Sequence, residues 1–353
     1  MRFYTQFVLV VAVVLAVFVV IRVFNLVKPK ILYIAMGSFV LIGALTITGY
    51  EIKKAYNDSF AVVDDQAVEL YAYQPFNPNT RAARLEEPAS LSIPDNLPRL
   101  DGATALYPLY AAFVQAVYPE KEYDIGYSEV LCSTTIEAYE HLIQGNTDII
   151  FAARPSQEQL DHAKTMGVEL KLTPIGREAF VFFVNASNPV TNLSTEQIRS
   201  IYSGETRSWK QLGGQNEKIK AFQRPDNSGS QTMLQKIMED RQLMTSPKED
   251  VIIGMGQIIK DTADYRNYKN AIGYSFLYFA TEMVQNGQIR LLDVDGIAPA
   301  KQTIENGEYP LAAEFYAVTA GTTNPHAEAF VEWILSPQGQ LLVEKTGYTA
   351  LKK

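Results

Sequence analysis

The sequence is poor in the residues that most often carry chemistry in proteins. Its 353 residues include one cysteine, Cys132, and three histidines. A single cysteine excludes an intramolecular disulfide, and there is no C-x-x-C pair or Cys/His cluster of the kind that binds zinc. His141, His162 and His326 lie in segments with helical patterns, where solvated helix faces are favoured over catalytic roles. We therefore expect no metal, no cofactor and no enzyme that depends on these residue types.

Charge is unevenly distributed along the chain. Residues 1–54 contain six of the 31 basic residues but only one of the 39 acidic residues, Glu51. The remainder has 25 basic and 38 acidic residues, a net charge of −13. Such an acidic body is unsuited to binding nucleic acid. It is compatible with a small anion, because helix dipoles and one or two arginines can form an anion site locally.

Two long apolar stretches lie near the N-terminus. Phe7–Val27 is interrupted by Arg22 near its end, and Ile31–Tyr50 runs for 20 residues without a charge. Each meets the ~20-residue length of a membrane-spanning helix. A cleaved signal peptide is the weaker interpretation, because a second stretch follows within a few residues. The sequence thus predicts a transmembrane helical hairpin in residues 1–54, in contact with lipid through residues 7–50.

The rest of the chain divides into two patterns. Residues 55–98 are polar and proline-rich, which predicts a linker or a loosely packed strap. From Arg99 onwards short apolar runs alternate with amphipathic helices, as in an α/β fold. Strands are predicted at Asp148–Ala153, Glu178–Val184, Lys218–Phe222, Ala271–Ser275, Gln288–Leu292 and Phe315–Thr319. Helices are predicted at Ala105–Val117, Thr134–Ile143, Ser156–Lys164, Thr195–Tyr202, Ser228–Met238 and Pro325–Leu335.

Three segments share one design, in which small and hydroxyl-bearing residues come directly before a predicted helix. They are Asp101-Gly102-Ala103-Thr104, Cys132-Ser133-Thr134-Thr135 and Asp226-Asn227-Ser228-Gly229-Ser230. The first turn of a helix has unpaired amides and about half a positive charge, so three converging ends would bind an anion. Ser, Thr, Asp and Asn are also the usual helix N-caps, so each segment alone fits ordinary capping. Spacing leaves both interpretations open.

Arg224 adds a positive charge beside the third segment. It lies between an apolar predicted strand and the helix that begins near Ser228, where a planar guanidinium can bind a tetrahedral anion through two nitrogens. Pro225 restricts the backbone and Gly229 frees it, as a loop closing on a ligand requires. A surface arginine at a strand end is the other interpretation.

These segments belong to an ordered set of motifs that resembles one family. Arg224–Ser230 resembles the R-x-D-x-S-G-[ST] loop of PstS-type phosphate-binding proteins, and Gly102–Tyr110 resembles their first ligand loop. Further matches are Thr191–Ile198 with Tyr202-Ser203-Gly204 and Trp209, Ala271–Tyr274, and Leu335–Gln340. The likeness covers most of residues 99–353. It implies a two-lobed periplasmic-binding-protein-like α/β clamshell with the ligand at the hinge.

The resemblance also implies boundaries and ligand roles. Lobe 1 would comprise residues 99–184 and 312–353, and lobe 2 residues 185–311, with crossings at Phe182–Asn185 and Leu311–Phe315. The ligand would be phosphate or a similar oxyanion, delivered to the permease of an ABC importer. The binding residues carried over are Thr104 and the Ala105 amide, Ser133 or Thr134, Arg224, Ser228, Gly229 and Ser230.

Three departures from the family pattern affect the expected ligand and location. The usual second loop is of the S-G-G type, whereas Ser133-Thr134-Thr135 has more hydroxyls and a tighter backbone. The carboxylate that accepts the proton of hydrogen phosphate would fall near Ala153-Arg154, so we expect weaker discrimination against sulfate. Arg154 is either a second positive contact or a strand-end arginine facing solvent. Relatives are commonly secreted or lipid-anchored, but this sequence has no lipobox cysteine, and the predicted hairpin replaces it.

Two other classes of function compete with solute binding for import. A serine-nucleophile enzyme would need a histidine, lysine or metal beside Ser228 or Ser133, and the local motifs provide none. A ligand-occupancy sensor or interaction protein would use the same anion-binding clamshell and signal through the hairpin. A neighbouring permease and ATPase gene would favour import, and a neighbouring kinase or cyclase gene would favour sensing.

The basic residues predict the orientation of the hairpin. Arg22, Lys28 and Lys30 surround the short connection and favour a cytoplasmic position for it, although a lysine pair after the second stretch acts in the opposite direction. Residues 55–353 are then extracytoplasmic. Protease added to intact cells is expected to remove this part of the protein, with lysed cells as the control. Complete protection in intact cells would reverse the orientation.

Overall fold

The computed structural model describes residues 2–58, 62–64, 70–245, 264–266, 269–283 and 289–351. The chain forms two compact units, Met1–Phe60 and Ala61–Lys353. Residues 59–61 and 65–69 of the segment predicted as a linker, and Gln288 of a predicted strand, lie outside the described residues.

The first unit contains two helices, α1 (Arg2–Val23) and α2 (Pro29–Asp58). They run antiparallel, because the ring of Tyr4 packs 5.5 Å from that of Tyr50 while Phe18 packs 6.0 Å from Phe39, measured between centroids. The predicted pairing of two apolar helices is therefore present in the structure.

The surface of this helical pair is apolar. Val13 is 64% exposed on α1 and Val40 is 68% exposed on α2, an arrangement that is unfavourable in water. Within the described residues, Pro29–Ile52 is long and apolar enough to cross a membrane, with a mean hydropathy of 2.1. The apolar helix Phe7–Val23 is shorter than the ~20 residues of a typical span. Membrane insertion of both helices stays a prediction.

The second unit alternates helices and strands. Its helices are α3 (Tyr107–Val117), α4 (Thr135–Ile143), α5 (Gln157–Thr165), α6 (Thr195–Tyr202), α7 (Gly229–Met238), α8 (Lys301–Glu305), α9 (Ala327–Ile334) and α10 (Pro337–Thr346). Its strands are β1 (Val62–Asp64), β2 (Leu100–Gly102), β3 (Ile149–Ala152), β4 (Lys171–Asn185), β5 (Asn192–Leu193), β6 (Lys220–Ala221), β7 (Asp264–Arg266), β8 (Ala271–Phe276), β9 (Ile289–Leu291), β10 (Asp293–Val294) and β11 (Ala312–Thr319). Every predicted strand and helix overlaps one of these elements. The strands β1, β2, β5, β7 and β10 and the helices α8 and α10 were not predicted.

The main sheet has the strand order β2-β3-β11-β4-β8-β6, and β9 also pairs with β4. The pairs β2–β3 and β6–β8 are parallel, and the other pairs are antiparallel. The strands β2, β3 and β6 each lead into a segment that carries predicted ligand residues. Ligands of open α/β sheets commonly bind beyond the carboxyl ends of the strands, so this topology positions a site.

Two hydrophobic cores share the long strand β4. The first contains Phe113 of α3 and Phe330 of α9, and the second contains Phe182 of β4 and Leu234 of α7. Strand β4 pairs with β11 as far as Ala179 and with β8 from the next residue onwards. The chain thus changes cores before the predicted exit at Phe182–Asn185, because the side chains that follow Ala179 already pack mainly in the second core.

The described part of the predicted linker, residues 70–98, is packed against the first core. Leu70, Tyr73 and Ile93 are buried there, and Gln74 Nε2 donates to the Tyr123 carbonyl oxygen at 2.9 Å. Of the two interpretations of this segment, its packing corresponds to a strap.

Glu178 lies on β4 beside the point where the strand changes partner. It is 5% exposed, and its carboxylate accepts a hydrogen bond from the Tyr278 backbone N–H at 2.6 Å. Burial raises the pKa of the Glu178 carboxyl to about 8, although the Tyr278 hydrogen bond acts in the opposite direction. The folded protein therefore binds this proton more tightly than the unfolded chain. The stabilisation is fully present below the pKa of the unfolded chain and is lost as pH rises towards about 8.

We expect Glu178→Gln to reduce the pH dependence of stability, because glutamine keeps an acceptor for Tyr278 but does not ionise. Between about pH 5 and about pH 8, the free energy of unfolding of the wild type should fall relative to the variant by on the order of 2–4 kcal/mol. Chemical denaturation across this range measures the difference. The exposed Glu308→Gln is the control, and parallel pH profiles for wild type and Glu178→Gln would contradict the prediction.

Candidate functional site

The third predicted segment holds a buried positive charge. Arg224 follows β6 and is only 9% exposed. Its backbone N–H donates to Gln231 Oε1 and to the Tyr274 hydroxyl, both at 2.9 Å, so α7 and β8 hold the loop in place. Its Nε has no hydrogen-bond partner among the described residues. A buried guanidinium nitrogen without an acceptor is costly, and a bound anion would remove that cost.

The start of α7 brings the third segment against the second segment and the end of β3. Ser228 is the N-cap of the helix, and its Oγ accepts from the Gln231 N–H at 3.4 Å. A Cβ placed on Gly229 would lie 3.3 Å from Thr135 Oγ1 and 3.4 Å from Ala153 Cβ. The first turn of α7 is therefore in contact with the first turn of α4 and with the end of β3. Glycine leaves the space that this approach needs.

The second segment contains a strained residue. Thr134 has φ 105° and ψ 169°, a region of backbone conformation that is essentially restricted to glycine and costs about 1–3 kcal/mol. It occupies the N-cap position of α4, but its side chain makes no capping hydrogen bond. Its Oγ1 is buried without a hydrogen-bond partner in the described part of the chain. Capping therefore does not explain this residue, whereas strain of this kind clusters at ligand sites.

The first segment forms a tight turn before α3. Thr104 and Ala105 are buried in the 3-10 turn Thr104–Leu106, whose N-cap makes no side-chain hydrogen bond. Thr104 Oγ1 lies beside the Cys132 thiol and has no other hydrogen-bonding neighbour within the described ranges. Burial raises the pKa of the Cys132 thiol to about 12, so this neighbour is neutral. The Thr104 hydroxyl is thus a second buried group that capping does not explain.

Asp101 joins the first and second segments. It is fully buried at the end of β2, where Oδ1 accepts from the Gly102 N–H at 2.7 Å and the Ser133 N–H at 2.9 Å. Its Oδ2 accepts from Ser133 Oγ and lies 2.8 Å from His141 Nδ1. The expectation that His141 occupies a solvated helix face was wrong, because α4 turns this side chain towards Asp101. Local sequence carried no signal for this contact, because β2 was not predicted and Asp101 lies 40 residues from His141.

Asn227 connects the third segment to the start of α5. Its Oδ1 accepts from Ser156 Oγ at 2.7 Å, and its Nδ2 donates to Glu158 Oε2 at 2.8 Å. Its carbonyl oxygen accepts from Gln159 Nε2 at 3.4 Å. Asn227 itself has φ 66°, a left-handed conformation that asparagine tolerates better than most residues. One residue therefore fixes the Arg224 loop against another helix start.

Arg154 differs from the other predicted site residues. It is exposed, its Nη2 donates to the Tyr316 hydroxyl at 3.0 Å, and its guanidinium lies 5.5 Å from the centre of the Tyr316 ring. The Tyr316 hydroxyl in turn donates to Glu314 Oε2 at 2.9 Å. These contacts hold Arg154 on β11, and its role towards a ligand stays a prediction.

The residues that form this site lie in a part of the chain that matches a known protein family. Residues 94–338 match the model of the PBP superfamily domain, over more than half of the chain. The chain belongs to the PBP superfamily. The resemblance to PstS-type members that the sequence motifs predicted is confirmed by the relatives described next.

Curated relatives and solved structures agree with this assignment. The phosphate-binding protein PstS of Bacillus subtilis is 27% identical over 323 residues, covering 90% of this chain and 92% of the relative. PstS of Borreliella burgdorferi is 26% identical, covering 52% and 66%. A phosphate ABC transporter substrate-binding protein with bound phosphate from Clostridium perfringens has a TM-score of 0.55 at 23% identity, covering 74% of this chain and 100% of that one. An ABC-type phosphate transport receptor from Vibrio cholerae has a TM-score of 0.52 at 19% identity, covering 71% and 99%. Both structures show a shared fold.

In this PBP-superfamily chain, the tertiary structure brings the three predicted segments into contact. The predicted site residues on them are Thr104, Ala105, Ser133, Thr134, Arg224, Ser228, Gly229 and Ser230. Asp101, His141 and Asn227 connect the segments to one another or to the fold, and they were not predicted as site residues. Ligand contact by each residue stays a prediction.

The strain at Thr134 predicts an unusual stability effect. Thr134→Gly should raise the free energy of unfolding by about 1 kcal/mol, because glycine adopts this backbone conformation without strain. The adjacent Thr135→Gly is the matched control and should lower it by about 0.5–1 kcal/mol, because glycine is unfavourable in a helix. Urea denaturation distinguishes the two signs. A loss of stability in Thr134→Gly comparable to that in Thr135→Gly would contradict the interpretation.

Proposed function

We propose that this protein binds phosphate or a similar oxyanion between two lobes and supplies it to an ABC importer. The observation that carries the proposal is the buried guanidinium of Arg224 beside the first turn of α7. The described acceptors leave its Nε without a partner, and an oxyanion supplies acceptors of matching geometry.

The donors around this point suit an anion. The buried hydroxyls of Thr104 and Thr134 come from two segments that are joined to each other through Asp101 and Ser133. The second segment meets the start of α7 at Gly229. The amides in the first turns of α4 and α7 add partial positive charge. These hydrogen-bond donors therefore favour an anion at this point, although the chain as a whole is negatively charged.

The contacts of Asn227 support a closed clamshell. Ser156, Glu158 and Gln159 belong to the predicted lobe 1, whereas Asn227 belongs to the predicted lobe 2. Hydrogen bonds between the lobes hold the Arg224 loop against the other half of the site. A ligand enclosed in this way is removed from water, which strengthens its charge-assisted hydrogen bonds.

Binding is favoured over hydrolysis by the arrangement of the nearby serine and histidine. Ser133 and His141 both contact Asp101 Oδ2. In a hydrolytic triad the serine hydroxyl instead contacts the histidine, which removes its proton. The three residues here fit a rigid support for the loop.

The proposed partner and location follow the relatives. The solved structures from Clostridium perfringens and Vibrio cholerae are described as ABC transporter components for phosphate, and transfer of that role to this chain is part of the proposal. The apolar helices α1 and α2 would anchor the binding domain to the membrane, so that ligand is captured next to the permease rather than by a freely diffusing receptor.

The proposal predicts that the detergent-solubilised full chain binds phosphate in titration calorimetry. Arg224→Ala should weaken binding by about 2–5 kcal/mol, at least about 30-fold in Kd, because it removes one partner of a desolvated charge pair. Arg207→Ala, at an exposed arginine on the loop after α6, is the matched control and should bind like the wild type.

A panel of phosphate, sulfate, phosphonates and carboxylates identifies the ligand class. No heat with phosphate at millimolar concentration, in protein that unfolds cooperatively, would rule out the phosphate assignment. Heat with a different oxyanion that is lost in Arg224→Ala would keep the anion site and change its ligand.

A further inference from the structure

Ser133 is held by Asp101 through both of its hydrogen-bond donors. Its backbone N–H donates to Asp101 Oδ1 at 2.9 Å, and its hydroxyl donates to Asp101 Oδ2. A carboxylate can only accept hydrogen bonds, so the direction of both bonds is determined by chemistry. The expectation that Ser133 donates to an anion therefore conflicts with this geometry.

The remaining capacity of the Ser133 hydroxyl is that of an acceptor. A hydroxyl has one proton and two lone pairs, and here the proton is directed at Asp101. Ser133 is partly exposed and directly precedes Thr134, in the segment that meets Gly229 of the Arg224 loop. The lone pairs of its Oγ can therefore still accept a hydrogen bond from a ligand beside this segment.

Asp101 cannot easily release this serine. It is fully buried, its carboxylate accepts from the Gly102 N–H, the Ser133 N–H and the Ser133 hydroxyl, and its Oδ2 lies 2.8 Å from His141 Nδ1. A reorientation would leave several buried polar groups unpaired, which is costly. The acceptor character of Ser133 is therefore built into the fold.

An acceptor at this position distinguishes anions by their protons. At neutral pH phosphate carries at least one proton that it can donate, whereas sulfate carries none and would place its lone pairs against those of Ser133. Selectivity of this kind comes from an unfavourable contact with the competitor as well as a favourable one with the ligand. No carboxylate stands at Ala153-Arg154, so another acceptor is required for such discrimination.

We propose that Ser133, oriented by Asp101, accepts the proton of the bound anion and makes the site selective for protonated oxyanions. This inference rests on the proposed function, because it concerns the same anion. Ser133 is the specificity-determining residue, and Asp101 is a positioning residue that acts through it.

The test compares phosphate, arsenate and sulfate binding to the full chain by competition and calorimetry. Ser133→Ala should weaken phosphate and arsenate by about tenfold to a hundredfold, the range for one hydrogen bond to a charged group, and leave sulfate within about threefold. Asp101→Asn should shift the phosphate-to-sulfate ratio in the same direction, because an amide can donate to Ser133 and release its proton towards the ligand.

Two further variants separate specificity from structure. Asp148→Asn alters another buried carboxylate, one that accepts from the Arg99 N–H at 2.7 Å and makes no hydrogen bond with Ser133 in the described part of the chain, and it should leave the ratio unchanged. Ser133→Thr keeps a hydroxyl and should restore phosphate selectivity. Thermal unfolding confirms that each variant is folded. If Asp101→Asn does not fold, Ser133→Ala and Ser133→Thr decide the question.

The outcomes distinguish this inference from the proposed function. If the wild type binds none of the three anions, the proposed function fails. If the wild type binds phosphate but Ser133→Ala changes phosphate and sulfate by the same factor, or neither, the inference is overturned and the function stands. A selective loss of phosphate and arsenate binding in Ser133→Ala, restored in Ser133→Thr, supports it.

Discussion

The buried guanidinium of Arg224 is the constraint on which the rest of the site depends. A positive charge removed from water must be balanced, and the surrounding groups that hold the loop, Gln231 and Tyr274, contact its backbone. The neighbouring segments contain hydroxyls and helix amides, which are also hydrogen-bond donors that need acceptors. Arg224 Nε and the hydroxyls of Thr104 and Thr134 are buried without hydrogen-bond partners among the described residues, which is the basis of the proposed anion site. The fold keeps the donors in place by holding each one on a strand end or a helix start.

The second segment shows how local strain and a buried network support each other. Thr134 is held in a backbone conformation that threonine avoids. Asp101 fixes the preceding Ser133 through two hydrogen bonds, which keeps the segment from relaxing. The strain reduces stability, and the next residue, Thr135, meets the start of α7 at Gly229. The backbone strain at Thr134 thus lowers the stability of the fold, while the hydrogen bonds of Ser133 fix the geometry of the segment.

Much of the fold follows from local pattern. The alternation of apolar runs and amphipathic helices places every predicted strand and helix close to its observed position, because burial on one or both faces imposes the period of each element. The errors in the prediction of β2 and of the position of His141 also come from this reliance on local pattern. The strand β2 is only three residues long and contains Asp101, so it lacks an apolar run. His141 has a polar neighbourhood in sequence, and its partner is 40 residues away, where helical spacing carries no information.

The sequence by itself determined the α/β class, the apolar N-terminal helices and the three hydroxyl-rich segments that precede helices, because periodicity and motif order are local properties. Only the tertiary structure decided which of these residues cap a helix. Thr104 and Thr134 do not cap their helices, whereas Ser228 does, and this distinction depends on distances between atoms. The tertiary structure also directs both hydrogen-bond donors of Ser133 at Asp101, a carboxylate distant in sequence.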